Sequence, residues 1–225
     1  MKRPYIICHM MTSVDGRIDC DMTAQLQGVK EYYSTLESLD TQTTLSGRVT
    51  AQLELANSGK FEPKTQTYLN KESFTQNTIS DSYDVIVDTK GTLLWDDDST
   101  YNKPHIIITS EQVNLDYLDY LNSKHISWVA TGKKEINLTR AVEILSEQFK
   151  VSRMAIVGGG HIDGSFLDAG LTDEISILIG SGVDGRNGMP AVFDGRPETR
   201  KPIPLKLENV KSFEDGAVWL RYSVK

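Results

Sequence analysis

The sequence predicts an α/β fold: a mostly parallel central sheet flanked by helices, with an antiparallel pair at its C-terminal edge. Three observations predict it. Short apolar runs alternate with segments of helical periodicity along most of the 225 residues, the pattern of strand–helix units and not of successive hairpins. The run from Pro4 to Met11 is apolar on both faces, as strands are when helices cover both sides of a sheet. The last two runs, Leu205 to Phe213 and Ala217 to Val224, are separated only by Glu214-Asp215-Gly216, a turn that folds one strand back on the other.

The elements follow in order. Pro4 to Met11 forms the first strand and enters a turn at Ser13-Val14-Asp15-Gly16. Val29, Tyr32, Tyr33, Leu36 and Leu39 recur at helical spacing, which predicts an amphipathic helix over 28–40. Thr43 to Ser46 is a strand ending at Gly47, and Thr50 to Ala56 a short helix. Residues 57–80 are polar, contain Gly59 and Pro63, and read as a long surface excursion, a kind of segment that is often functional or mobile. Asp84 to Asp88 is a strand with a turn at Lys90-Gly91; His105 to Thr109 is a strand, 114–124 a helix and Ile126 to Ala130 a strand. Thr139 is placed to cap a helix carrying Ala141, Val142, Ile144, Leu145 and Phe149. Arg153 to Val157 is a strand running into Gly158-Gly159-Gly160, and a helix around Gly164 to Ala169 stops at Gly170. Glu174 to Ile179 is a strand, and 180–197 a glycine-rich loop. With no internal repeat and no linker, residues 1–225 are expected to form a single domain.

Composition narrows the function. A formal net charge of -7 argues against a nucleic-acid partner, since phosphate backbones need a basic face. The two cysteines, Cys8 and Cys20, have no metal-ligand spacing, and neither do the four histidines, so no metal is expected. No apolar stretch approaches the roughly 20 residues that span a bilayer, and the short apolar run after Lys2 and Arg3 does not read as a signal peptide. The expectation is a reduced, cytoplasmic protein without a membrane partner.

Several motifs bear on ligands. Gly180-Ser181-Gly182-Val183-Asp184-Gly185 fits the dinucleotide pattern G-x-G-x-x-G, but Asn187, Gly188 and Pro190 follow where that pattern requires a helix. It reads instead as a loop. Gly158-Gly159-Gly160 ends an apolar strand just before a helix; it is either a phosphate cradle or a tight turn with no ligand. Gly47-Arg48-Val49-Thr50 also joins a strand to a helix, either as a phosphate contact through Arg48 or as a capped helix with an exposed arginine. His9 lies in the first strand, where a satisfied core histidine is the default; His161 follows the glycines and is placed to touch a phosphate.

Taken together, the segments resemble the reductase family of riboflavin biosynthesis, whose fold is similar to that of dihydrofolate reductase. The resemblance rests on PYIICHMMTSVDG from Pro4 to Gly16, on Gly47 to Thr50 as a G-R-x-T motif, and on Val85 to Gly91 as the D-[ST]-x-G segment. It is completed by IVGGGHIDGSFLDAGLTDE from Ile156 to Glu174 and AVFDG from Ala191 to Gly195, all in family order. It implies an NADPH-dependent reductase of a ribosylamino-pyrimidine phosphate, 5-amino-6-(5-phosphoribosylamino)uracil. The cofactor positions it implies are Gly47, Arg48, Thr50, Glu54, Asp88, Thr89, Lys90, Gly158, Gly159, Gly160, His161 and Ile162. It places His9, Ser13 and Asp15 at the substrate as catalytic residues, and it implies a homodimer. Reduction of another pterin, pyrimidine or carbonyl compound, and a non-catalytic nucleotide-binding module, are the alternatives. The family commonly has a lysine at the position of His9 and a glutamate at that of Gly158, and both departures fall on the substrate side. The zinc-deaminase signature, H-x-E with P-C-x-x-C, does not occur, so deamination is expected from another protein.

Overall fold

The structure, a computed structural model, describes residues 2–225. In chain order its elements are β1 (Tyr5–Thr12), α1 (Cys20–Thr23), α2 (Val29–Ser38), β2 (Thr43–Gly47), α3 (Arg48–Glu54), β3 (Ser73–Thr75), β4 (Asp84–Val87), β5 (His105–Thr109), α4 (Leu115–Ser123), β6 (Ser127–Ala130), α5 (Leu138–Glu147), β7 (Arg153–Gly158), α6 (Gly160–Asp168), β8 (Glu174–Ile179), β9 (Leu205–Ser212) and β10 (Val218–Val224). They fall into two compact units, a central one over Gln42–Ser152 and a terminal one formed by Tyr5–Thr41 with Arg153–Lys225.

In the terminal unit the strand order is β7-β1-β8-β10-β9. β1 runs parallel to both neighbours, with Ile7 opposite Ala155 and Glu174. β10 is antiparallel to β8 and to β9, which is the expected C-terminal edge. Alternation along β1 sends successive side chains to opposite faces. Ile7 and Met11 pack with Leu39, Leu178 and Trp219, beside Val29 and Tyr32 of α2. Cys8 and Met10 pack with Ile18, beside Val192 and Phe193. β9, by contrast, is exposed along all of its residues.

In the central unit the order is β3-β6-β5-β4-β2. The four longer strands are parallel and β3 is antiparallel to β6. Every residue of β5 and β6 is buried. Ile86, Ile107 and Trp128 form a core with Trp95, Tyr117 and Leu121. At about 1.5–3 kcal/mol for each large apolar side chain removed from water, this face is the main source of the unit's stability.

Three local expectations are corrected. α6 begins at Gly160, four residues before the predicted start, because Gly159 turns the chain at φ +104° and lets the helix open directly after the strand. α5 is capped by Asn137, whose side chain accepts from the Arg140 amide, so Thr139 lies inside the helix. Residues 57–80 are not a free excursion. They contain β3, and the Asp116 carboxylate accepts from the amides of Lys64 and Thr65, both at 2.7 Å, tying the segment to the start of α4. Among the described residues no helix follows Gly185, which agrees with reading 180–197 as a loop.

Candidate functional site

His9 is fully enclosed in the terminal unit. Its Nε2 lies 3.2 Å from the Tyr32 carbonyl, and its ring stacks on that of Tyr32 at 4.7 Å. Nδ1 lies 2.8 Å from Oγ of Ser176, the residue directly opposite it on β8. A carbonyl only accepts, so Nε2 is assigned the proton and Nδ1 accepts from the serine hydroxyl. That leaves the serine oxygen to accept from Nε1 of Trp219 at 2.7 Å. Burial, ahead of every other influence, lowers the histidine pKa to about 4, so the ring is neutral at neutral pH with both nitrogens engaged.

Ser13 and Asp15 organise the turn after β1. The Ser13 hydroxyl donates to Asp15 at 2.7 Å, and the same carboxylate accepts from the amides of Asp184 and Gly185 at 2.9 and 3.0 Å. These three bonds, that from Ser13 foremost, hold the exposed carboxyl well below the usual carboxylate range. Arg17 donates to the Met189 carbonyl at 2.6 Å, and Arg186 pairs with Asp184 and Asp19. The glycine-rich loop is therefore stapled to the turn through polar contacts.

The glycines after β7 open α6. Gly159 carries no side-chain cap, so the first-turn amides, those of Gly160 and His161 among them, lack intrahelical partners. A Cβ on Gly160 would stand 2.2 Å from the Ala191 carbonyl oxygen, and one on Gly164 would stand 2.0 Å from that of Asp194. These glycines let the segment 191–194 lie against the helix. His161 is exposed and Ile162 half-buried. Asp163, in the same first turn, is fully buried, and neither carboxylate oxygen has a hydrogen-bond partner among the described residues. Burial pushes its pKa well above the usual range, and the Cys8 thiol beside it is raised by burial as well.

In the central unit, pairing of β2 with β4 sets Gly47 opposite Val87, so Arg48 and Asp88 leave adjacent strand ends. Gly47, uncapped, starts α3; Arg48 is exposed, Thr50 is buried, and Glu54 ends the helix on the surface. Asp88 is fully buried, and its carboxylate accepts from the amides of Thr92 and Leu93 at 2.6 and 3.0 Å. It shapes the turn that presents Thr89 and Lys90. The Thr89 carbonyl accepts from Ser110 and Thr109, and Lys90 is exposed. A cavity of about 470 Å³ opens here, lined by Lys90, Ser110, Lys134, Phe61 and Tyr68 among others.

Gly47, Arg48 and Asp88, given by the resemblance as cofactor positions, come to neighbouring strand ends. Sequence reasoning did not single out Phe61, Tyr68 or Lys134, nor the partners Ser176 and Tyr32 of His9. Among the described residues, no group of three or more His, Cys, Asp or Glu side chains is arranged to hold a metal ion, and no helix is long and apolar enough to cross a membrane.

Solved structures share this architecture at low identity. A pyrimidine reductase-like protein from Corynebacterium diphtheriae superposes with a TM-score of 0.72 at 15% identity, over 99% of this chain and 92% of that one. The deaminase/5-amino-6-(5-phosphoribosylamino)uracil reductase of Thermotoga maritima gives 0.67 at 19% identity, over all of this chain but 57% of its own length. The riboflavin biosynthesis reductase of Saccharomyces cerevisiae gives 0.65 at 17% identity, over 100% and 91%. Likeness at this level speaks for the dihydrofolate reductase-like fold. The family model of the RibD C-terminal domain matches residues 4–220 of the sequence itself. With strand ends, glycines and turn residues falling in that family's order, the chain belongs to the RibD C-terminal domain family, and so to the reductase-type oxidoreductases.

Proposed function

We propose that the protein is an NADPH-dependent reductase of riboflavin biosynthesis, acting on 5-amino-6-(5-phosphoribosylamino)uracil as a cytoplasmic homodimer. The family match over residues 4–220 carries the reading.

The residues present suit a dinucleotide. α6 starts on a glycine with no side-chain cap, which leaves amides for a phosphate oxygen. The turn after β4 carries an exposed lysine beside a cavity. For the central unit the resemblance offers Gly47, Arg48, Thr50, Glu54 and Asp88 to Lys90 as cofactor positions, and for the terminal unit, taken by itself, Gly158 to Ile162. A reduced nicotinamide held by the chain would supply a hydride. The chain's own contribution is binding and alignment. Asp88 shapes the turn under Lys90 through its two amide contacts, and Asp15 holds the loop 180–190 to the turn at Ser13. His9, neutral and engaged at both nitrogens, fixes α2 against β8.

A second reading, reduction of another pyrimidine, pterin or carbonyl compound, is favoured by that same histidine. Where the family commonly has a lysine, this chain buries a neutral ring, which offers no charge to a substrate phosphate.

The experiment is a fluorescence titration with NADPH and NADH, followed by addition of the ribosylamino-pyrimidine phosphate while reduced-cofactor absorbance is recorded. Binding with oxidation is the expected result. Binding without oxidation transfers the assignment to another substrate, and binding of neither nucleotide refutes the reductase reading.

A further inference from the structure

Alternation along β1 puts His9 on the same face as Ile7 and Met11, among apolar neighbours. A polar ring in such a place needs partners inside the protein, because an unpaired buried donor or acceptor is costly. Three elements supply them. β8 offers Ser176 directly opposite, β10 offers Trp219, and α2 offers Tyr32 and Thr35. His9 and Ser176 are fully enclosed, and Thr35 and Trp219 are buried.

The chain of bonds runs in one direction. Nε1 of Trp219 only donates, at 2.7 Å to the Ser176 oxygen. The Tyr32 carbonyl only accepts, 3.2 Å from Nε2. The Thr35 hydroxyl lies 3.4 Å from Nε2 and sends its own proton to the carbonyls of Glu31 and Tyr32, at 2.7 and 2.9 Å, so it too turns a lone pair to the ring. A proton on Nδ1 instead would set a bare Nε2 against the carbonyl and take from the serine hydroxyl the acceptor it has at 2.8 Å. The ring is therefore held with its proton on Nε2, stacked on Tyr32 with 11° between the planes. The charges that act on it, Glu174 of β8 and Arg221 of β10, pair with each other at 2.6 Å. A histidine closed in this way has no free nitrogen to offer a substrate. It does have a grip on α2, which it ties to the strand that leads to the turn at Ser13 and Asp15. Reacting groups lose alignment when a supporting element shifts by about 1 Å.

We propose that Ser176 and Trp219 are positioning residues of the reductase reaction: through His9 they fix α2 on β1, and His9 itself neither touches the substrate nor exchanges a proton with it. The proposal rests on the reductase reading. It adds to it two residues of β8 and β10 that act at a distance from the reacting atoms.

The test joins nuclear magnetic resonance to kinetics on the full chain. With the histidine nitrogens isotopically labelled, the His9 ring, identified by its loss in His9→Gln, should show a protonated Nε2 and a bare Nδ1, unchanged between about pH 5.5 and 8. A proton on Nδ1, or titration within that range, overturns the proposal. In the NADPH oxidation assay, His9→Ala and Ser176→Ala should each lower kcat by about tenfold or more at unchanged KM for NADPH. The double variant should lose no more than either alone, and Trp219→Phe should lose less. The amide of His9→Gln can donate to Tyr32 and accept from Ser176 but cannot relay a proton at these pH values, so it should regain most of what His9→Ala loses. A folded His9→Gln as slow as His9→Ala makes His9 a catalytic residue and overturns the proposal, with the reductase reading left standing. So does a Ser176→Ala with the kcat of the wild type. A wild type that oxidises NADPH with neither the ribosylamino-pyrimidine phosphate nor another pyrimidine, pterin or carbonyl compound overturns the reductase reading and this assignment together.

Discussion

Replacing Asp163 with asparagine removes one titration from the interior of the terminal unit. The carboxyl is fully buried without a hydrogen-bond partner and sits in the first turn of α6. Two effects oppose each other there. The helix start favours a negative charge by about 0.3–1 kcal/mol, whereas taking an unpaired carboxylate out of water costs several kcal/mol. Desolvation prevails, and the folded pKa stands well above the unfolded value. In the pH range between those two values the folded state holds a proton that the unfolded state has released. Stability from this group therefore falls as pH rises, by about 1.4 kcal/mol per pH unit for one proton. His9 acts in the opposite sense. Its folded pKa is lowered to about 4, so its contribution grows with pH from there to the unfolded value of about 6.5. Where the two windows overlap above about pH 4 the slopes offset each other in the wild type, and Asp163→Asn exposes the histidine's slope. The assay is thermal and urea unfolding of both proteins at about pH 5, 6 and 7. Over the part of that range below the folded pKa of Asp163, the variant should gain on the wild type by about 3–5 °C in Tm per pH unit, at about 2–4 °C per kcal/mol for a chain of this size. Wild-type and variant curves that run parallel in pH would refute the claim that Asp163 is buried and protonated.

Two further outcomes are expected. His9→Ala removes one partner each from the Ser176 hydroxyl and the Tyr32 carbonyl, which keep their bonds from Trp219 and Thr35, a loss of about 1–3 kcal/mol in unfolding free energy; turnover should fall at unchanged NADPH affinity, and an unaltered kcat would remove His9 from the reaction. β9 exposes Leu207 and Val210 by 51% and 54% on an edge strand, the kind of surface that pairs with another copy; light scattering after size exclusion should give a dimer mass that drops to the monomer in Leu207→Lys/Val210→Lys, and a monomeric wild type would exclude the homodimer.

The strands were the most legible part of the sequence. β5 and β8 lie at the bounds read from the sequence, His105–Thr109 and Glu174–Ile179, although each carries polar residues that the fold buries, His105, Thr109, Glu174 and Ser176. Helix starts were less so. Asn137 and Thr139 are both capping types two residues apart, and only the fold shows that Asn137 accepts from Arg140. The start of α6 was obscured by glycines at 158, 159, 160 and 164, residues that propensity disfavours in a helix; Gly160 and Gly164 are required there because a Cβ would stand 2.2 and 2.0 Å from carbonyl oxygens of segment 191–194. The cavity was not legible at all. Phe61 and Tyr68 lie in a polar segment whose anchor, Asp116, comes about fifty residues later. Asp163 was equally hidden, since a carboxylate in a first helical turn ordinarily reads as solvated and favoured by the dipole.

The distribution of charge separates cofactor from substrate. In the terminal unit, Arg17, Arg186, Arg196, Arg200 and Arg221 each face a carboxylate, and the buried groups His9 and Asp163 are neutral. A substrate phosphate held there by one of these five arginines would have to draw it from its present carboxylate, while Arg153 of the same unit donates to the Leu39 carbonyl and lies over the Tyr5 ring. In the central unit, Arg48, Lys90 and Lys134 are exposed on strand-end loops, and the cavity beside the lysines has no acidic lining. That asymmetry makes the cofactor half of the reductase reading its stronger half. It also directs the substrate search to unphosphorylated pyrimidines, pterins and carbonyl compounds alongside the ribosylamino-pyrimidine phosphate.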